Sequence, residues 1–345
     1  MKMQIEKIPS VLKNVPLGKT VTLSAKIPAK EGTIVMVEAG VDEGKLNVLD
    51  YAGGRLGKLW NYDKIPAVLG YRKALTEFAG IVPKKVEVGA DLYLLCESGV
   101  VGEISGVFES WGRPMKVKVL GSITGANKSP MNLKDYKLDF NNKKGKQAPL
   151  IIFLGTRMDC GKTTMACKIG HHFTLSGKNV GAVKVTGVAF SQDLMKLHDA
   201  GLKNIYDFVD MGLPSTCNGN SEEVVNSALK LVTLANTKNP DCILVEFGDA
   251  VLGEYHVAEI LQNKIFNSQI TAVILAANDL AGIAGTVQLL DAWNIKVDLI
   301  TGPVANSKIG VNLINKYFKI PAESNQHEIS RTFDLLQNKI FKIKS

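Results

Sequence analysis

The chain has 345 residues, 46% of them apolar, enough for more than one ordinary domain with a buried core of its own. Its formal charge of +8 is scattered over helix ends and connecting segments, a distribution that argues against nucleic acid as a partner. The five cysteines (Cys96, Cys160, Cys167, Cys217 and Cys242) form no CxxC pair, so neither a disulfide framework nor a zinc site is signalled; with no secretion signal and no apolar run long enough for a bilayer, a cytoplasmic protein with no membrane contact is expected.

From Val21 to Gly121 the chain runs through short strand-like stretches, VTLSAKI, TIVMVEAG, KLNVLDY, DLYLLCES and MKVKVLG, separated by turns such as Asp42-Glu43-Gly44 and Ala52-Gly53-Gly54. This pattern predicts a small β-rich, barrel-like domain over 1–125, interrupted by one helix from Ile65 to Phe78. On that helix Gly70-Tyr71-Arg72-Lys73 either offers cations to a ligand or forms a solvated face. Residues 126–148, including NNKKGKQAP, have few apolar side chains to bury and read as a linker.

Over 149–345 the rhythm becomes strand then helix: LIIFLG, NVGAVKVTG, DCILVEF, ITAVILAA and KVDLITG. Strands apolar on both faces, each followed by a helix or long loop, predict an α/β domain with a parallel sheet and helices on both faces. Its first strand and helix are joined by GTRMDCGKTT. Glycines, a lysine and two hydroxyls at a helix N-terminus are what a P-loop needs, because backbone N–H groups and the helix end there attract phosphate. Five residues separate Gly155 from Gly161, against four in the usual motif.

The expected nucleotide contacts are Gly155, Thr156, Arg157, Asp159, Cys160, Gly161, Lys162, Thr163 and Thr164. Lys162 reaches the β- and γ-phosphates, Thr163 ligates magnesium, and Thr164 lies on the α-phosphate side. Glu246, ending the strand DCILVE, is the expected acidic group beside magnesium, with Asp249 next and Asp193 as a further ligand. Lys184, near the end of the second strand, is placed to neutralise a transferring phosphoryl group or an acidic substrate, since a lysine among apolar neighbours needs a counter-charge. Catalysis is therefore assigned to Lys162, Lys184 and Glu246.

Other positions leave two readings open. Arg157 either touches phosphate, in its own or a second subunit, or faces solvent. Asp207, Asp210, Ser215 and Thr216 either line a substrate pocket or cap a helix, and Cys160 is either a stabilised thiolate or a bystander. His171 and His172 lie too far along the first helix to meet phosphate. No Asn-Lys-x-Asp follows the fourth strand, where Ala276-Ala277-Asn278-Asp279 stands, so ATP is preferred to GTP.

GTRMDCGKTT, VKVTG, LVEFGD and GPVANS resemble, in order, the motifs of dethiobiotin synthetase, and VGAVKVTG is similar to the molybdopterin-guanine dinucleotide biosynthesis adaptor. With GYRKAL and GVVGEISG in front, the whole chain looks like an uncharacterised two-domain bacterial and archaeal P-loop family carrying a domain of unknown function. The resemblance implies nucleotide binding and leaves the substrate open. It matches Gly161, Lys162 and Thr163 to the phosphate and magnesium groups, Glu246 to the acidic strand end, and Lys184 to the strand-two lysine of the synthetase; Arg157 stands where related P-loop dimers carry a lysine used across the subunit interface, which implies a homodimer. Two functions compete: a magnesium-dependent enzyme that uses ATP to phosphorylate or activate a small acidic metabolite, and a nucleotide-operated switch or adaptor in cofactor biosynthesis.

Overall fold

The computed structural model describes residues 1–41, 44, 46–140, 147–217 and 220–341. Positions 42–43 of the expected turn at 42–44, the first position of the expected strand at 45–51 and positions 141–146 of the expected linker at 126–148 lie outside the described residues. Two compact units emerge. Unit 1 comprises Met1–Asp139, Val188–Gln192 and Phe208–Gly219, and unit 2 comprises Phe140–Gly187, Asp193–Asp207 and Asn220–Ser345.

Unit 1 contains β1 (Lys2–Gln4), β2 (Thr20–Ser24), β3 (Ile34–Ala39), β4 (Val48–Asp50), β5 (Leu56–Lys58), β6 (Lys64–Leu69), β7 (Arg72–Lys73), β8 (Phe78–Ile81), β9 (Asp91–Cys96), β10 (Val100–Val107) and β11 (Lys116–Thr124). Pairing runs β11 to β3, β3 to β6, β6 to β10, β10 to β9, and β9 back to β11, a closed ring whose only parallel pair is β6 with β10. Closure gives each of these strands two partners and removes the exposed edges a flat sheet would leave. The ring encloses Val35, Val37, Ile65, Ala67, Leu69, Leu94, Val117 and Val119, every second residue of their strands, as the two-residue period of a strand requires.

The helix expected from Ile65 to Phe78 is not formed: that stretch is β6, β7 and the start of β8. The alternation of Ile65, Ala67 and Leu69 suits the barrel wall, where both ladder sides of β6 find partners. Arg72 consequently turns inward, 4% exposed, to pair with Glu77 and donate to the Leu95 carbonyl, so it offers no cation to a ligand.

Two short segments from the second half of the chain complete unit 1. Ala189 N donates to Pro214 O at 3.0 Å, and the fully buried carboxylate of Asp50 accepts from Ser10 Oγ, Ser191 N, Ser191 Oγ and Gln192 Nε2 at 2.5, 2.7, 2.8 and 2.9 Å. Asp210 is held by Lys13 and Asn14.

Unit 2 is built from β12 (Leu150–Gly155), α1 (Lys162–Leu175), β13 (Val180–Thr186), α2 (Gln192–Asp199, whose first residue belongs to unit 1), β14 (Asn204–Asp207), α3 (Ser221–Asn236), β15 (Cys242–Phe247), α4 (Val257–Gln262), α5 (Lys264–Asn267), β16 (Ile270–Ala276), α6 (Leu280–Ala292), β17 (Leu299–Thr301), α7 (Lys308–Phe318) and α8 (Ser330–Leu336). The strands are all parallel in the order β14-β13-β15-β12-β16-β17. Ile151, Phe153, Leu244 and Ile274 meet Met165, Ile169 and Phe173 of α1 on one face. On the other face Gly181 and Ile243 pack near Ala235 of α3, and Phe247 meets Phe266 edge-on. The α/β arrangement expected from strands apolar on both sides is present. The chain leaves β12 towards β13 but leaves β15 towards β16, so the connections diverge at β12 and β15, where open parallel sheets form a crevice beyond their carboxyl ends.

Candidate functional site

Beyond β12 the chain makes a polar loop and enters α1 with Asp159 and Gly161 both at positive φ, +53° and +95°. No side chain caps α1, and the first N–H groups of a helix have no partner within it. A Cβ on Gly155 would stand 2.5 Å from Cys160 Sγ and 2.8 Å from Lys162 Nζ, so only glycine lets the lysine fold back along the strand end. Lys162, 6% exposed, does so: Nζ donates to the carbonyls of Arg157 at 2.9 Å and Asp249 at 2.8 Å.

Across from this loop Thr163 Oγ1 donates to Glu246 Oε1 at 2.7 Å, while Glu246 Oε2 is buried with no hydrogen-bond partner among the described residues. Burial, reinforced by the negative charge of Asp193, pushes the Glu246 carboxyl above the usual carboxylate range. A hydroxyl and an orphaned buried oxygen side by side fit magnesium, which takes one or two carboxylates and otherwise keeps water and phosphate. Among the described residues no group of three or more His, Cys, Asp or Glu is placed to hold a metal alone.

Strand register sets Lys184 of β13 between Glu246 of β15 and Asp207 of β14. Lys184 Nζ lies 2.5 Å from Asp193 Oδ2 in the first turn of α2. Burial works to lower the lysine, but Asp193, then Glu246, outweighs it and raises it above the ordinary lysine value. Asp193 is held below the carboxylate range by Lys184, against the opposing effect of burial.

In comparisons with known proteins, no family profile matches the chain, and no curated protein matches it. Among solved structures it is similar to the signal recognition particle receptor FtsY from Elizabethkingia anophelis, determined in complex with GDP, at 16% identity and a TM-score of 0.39 over 61% of this chain and 69% of that one. It is also similar to chloroplast FtsY from Physcomitrella patens, at 17% identity and a TM-score of 0.37 over 55% and 62% of the two chains. A DUF1611 family protein from Anabaena variabilis aligns at 14% identity and a TM-score of 0.41 over 61% and 64%.

The structure brings Gly155, Cys160, Gly161, Lys162, Thr163, Lys184, Asp193, Glu246 and the Asp249 carbonyl together at the carboxyl ends of β12, β13 and β15. Thr156 packs its side chain near Gly282 at the start of α6, Arg157 and Asp159 are exposed on the loop, and Thr164 is exposed on α1. Cys160 is fully buried and donates to the Arg157 carbonyl at 3.1 Å. Asp210, Ser215 and Thr216 belong to unit 1, whereas Asp207 ends β14. His172 lies at a tilt of 43° beside Phe333 and His171 meets the Ala200 carbonyl. No helix among the described residues is long and apolar enough to cross a membrane.

Asn325 is the loop partner that motif reading misses. It is 3% exposed, its Nδ2 lies 3.4 Å from Gly161 O, and a Cβ on Gly161 would fall 2.0 Å from that nitrogen. No spacing rule links positions this far apart in sequence; only the parallel sheet brings them together. Asp279, by contrast, accepts from Gly282 N at 2.7 Å as the N-cap of α6.

Proposed function

We propose that unit 2 binds ATP with magnesium and uses it to phosphorylate or activate a small acidic metabolite, with chemistry like that of dethiobiotin synthetase. The observation that carries this reading is the Thr163–Glu246 hydrogen bond with its orphaned Oε2, set beside the folded-back Lys162. Thr163 and Glu246 are the residues that would hold magnesium, which when bound supplies charge to the phosphate oxygens. Lys162 exchanges its carbonyl partners for β- and γ-phosphate oxygens, and the open amides of α1 accept the rest of the anion. Lys184 orients and neutralises the acceptor's acidic group. Such catalysis rests on positioning and electrostatics, without a covalent nucleophile. The commitment of Asp279 to α6 supports ATP over GTP, because that carboxylate is turned towards its own helix. Arg157, exposed on the loop, is the group a homodimer would use in trans.

Calorimetry with ATP and GTP, each with magnesium or with EDTA, tests the binding step. ATP binding that magnesium strengthens is expected, and an absence of heat with both nucleotides would remove the proposal. Release of phosphate that depends on one acidic metabolite would then identify the reaction.

One observation favours the switch reading instead. Asp249 O holds Lys162, and Val251 N donates to Gly155 O at 3.0 Å, so the segment after β15 is tied to the groups a γ-phosphate would claim. Slow hydrolysis without any metabolite, together with nucleotide-dependent protease sensitivity of 248–256, would favour it.

A further inference from the structure

The buried charges beyond β13 and β15 are not independent. Lys162 and Lys184 stand with Asp193 and Glu246 in mutual electrostatic reach, and Asp193 and Glu246 act on each other as like charges. Lys184 and Asp193 have only 9% and 18% of their side chains exposed and form the shortest ion pair of the group; Lys196 Nζ stands 3.9 Å from Asp193 Oδ1, and Glu246 and Asp207 flank Lys184 in register. Glu246 has one oxygen on Thr163 and one with no partner.

A divalent cation beside Thr163 and Glu246 changes this balance. It would offer Asp193 a stronger counter-charge than a lysine does, and Asp193 stands in the first turn of a short helix while Lys184 and Glu246 lie in adjacent strands. Lys184 would then lose its hydrogen-bonded carboxylate while Glu246 is drawn to the cation as well, a state that favours another anion beside the lysine.

We infer that Asp193 is an exchangeable counter-ion: it neutralises Lys184 in the nucleotide-free protein and turns to the cation side when magnesium nucleotide is bound, so that Lys184 receives an acidic substrate only after the nucleotide. This inference rests on the nucleotide reading proposed above. Asp193 thereby acts as a positioning residue that sets an order of binding. By linkage, an acidic ligand on Lys184 must also tighten the hold on magnesium nucleotide.

The test uses the full-length protein carrying lysine labelled at Cε and Nζ, with the Lys184 signal assigned by its loss in K184R. Spectra are recorded alone, with a non-hydrolysable ATP analogue in EDTA, and with the analogue and magnesium, with binding measured by calorimetry in the same samples. The Lys184 signal should move with analogue and magnesium together and hold still with analogue in EDTA. A still signal in a sample where calorimetry shows magnesium and analogue bound would overturn the exchange and leave nucleotide binding standing; absence of binding heat would remove both. As a second readout, D193N should weaken analogue binding in magnesium by about tenfold, equivalent to about 1.4 kcal/mol, and leave binding in EDTA within about twofold. An equal loss under both conditions would mean that Asp193 only supports the fold.

Discussion

At the scale of single residues, the site depends on groups whose burial makes them either essential or costly. Lys162→Ala should weaken nucleotide binding by at least about tenfold, since one charge-assisted hydrogen bond contributes about 1.5–3 kcal/mol; titration with a fluorescent ATP analogue checks this. Glu246 leads to a less obvious expectation. Its carboxyl is raised in the folded protein, so the folded state holds its proton more tightly than the unfolded chain, and stability falls as pH rises from the ordinary glutamate value through the raised one. Glu246→Gln should therefore melt higher than the parent at pH 8, lose that advantage towards pH 4, and lose magnesium-dependent nucleotide binding. Paired melting curves across pH decide it; an advantage that grows towards acid would contradict the assignment. Lys184 shares the sign of Glu246, and Asp193 has the opposite one. The aspartate's contribution is present above its ordinary value and is lost as pH falls through the depressed one, and the lysine's is present below its ordinary value and is lost as pH rises through the raised one. Their pair thus holds across the neutral range. Asp193→Ala should cost about 3–5 kcal/mol in denaturant unfolding by stranding Lys184, and K184M with D193L should recover most of it.

At the scale of elements, most strands of unit 2 were readable because a parallel sheet covered on both sides demands apolar runs, and β12, β13, β15 and β16 have them, whereas the edge strand β14, NIYD, has no such run and is not among the expected strands. Charges at the ends of those runs, Lys184 and Glu246, stood out for the same reason. The barrel was harder. Its strands carry proline, glycine and charge, and the stretch around β6 holds enough helix-favouring side chains to look helical until closure between β3 and β10 supplies hydrogen-bond partners. Asp50, at the end of β4, carries no sign of its partners in the sequence around it, yet it is fully buried and accepts four hydrogen bonds. Asp50→Ala should destabilise the protein by about 1–3 kcal/mol for each buried donor left unpaired, as measured by urea unfolding. A change within about 0.5 kcal/mol would mean that water replaces the carboxylate.

At the scale of the whole molecule, the chain alternates between its compact units more than once, because unit 1 recruits 188–192 and 208–219 from beyond β13 and β14. The partners of Asp50 and Asp210 are therefore far apart in sequence: Asp50 needs Ser191 and Gln192, and Lys13 and Asn14 need Asp210. A fragment ending at Asp139 has the barrel strands but lacks these segments. It should melt well below the full chain by circular dichroism and should not regain a cooperative transition unless 188–219 is restored. A fragment as stable as the parent would show that the returning segments are dispensable.

Local chemistry was enough to single out the glycine-bearing loop before α1, the acidic strand end and the change of rhythm between the two halves. Side-chain period, backbone freedom at glycine and the N-terminal donors of a helix are properties of neighbouring residues. Partnership was not readable in that way. That Lys184 faces Asp193, that Asn325 lies against Gly161, that Asp50 gathers Ser10, Ser191 and Gln192, and that β6 is a strand all follow from chain segments meeting across long separations. A buried charge or an ambiguous stretch takes its state from whichever partner the completed fold supplies.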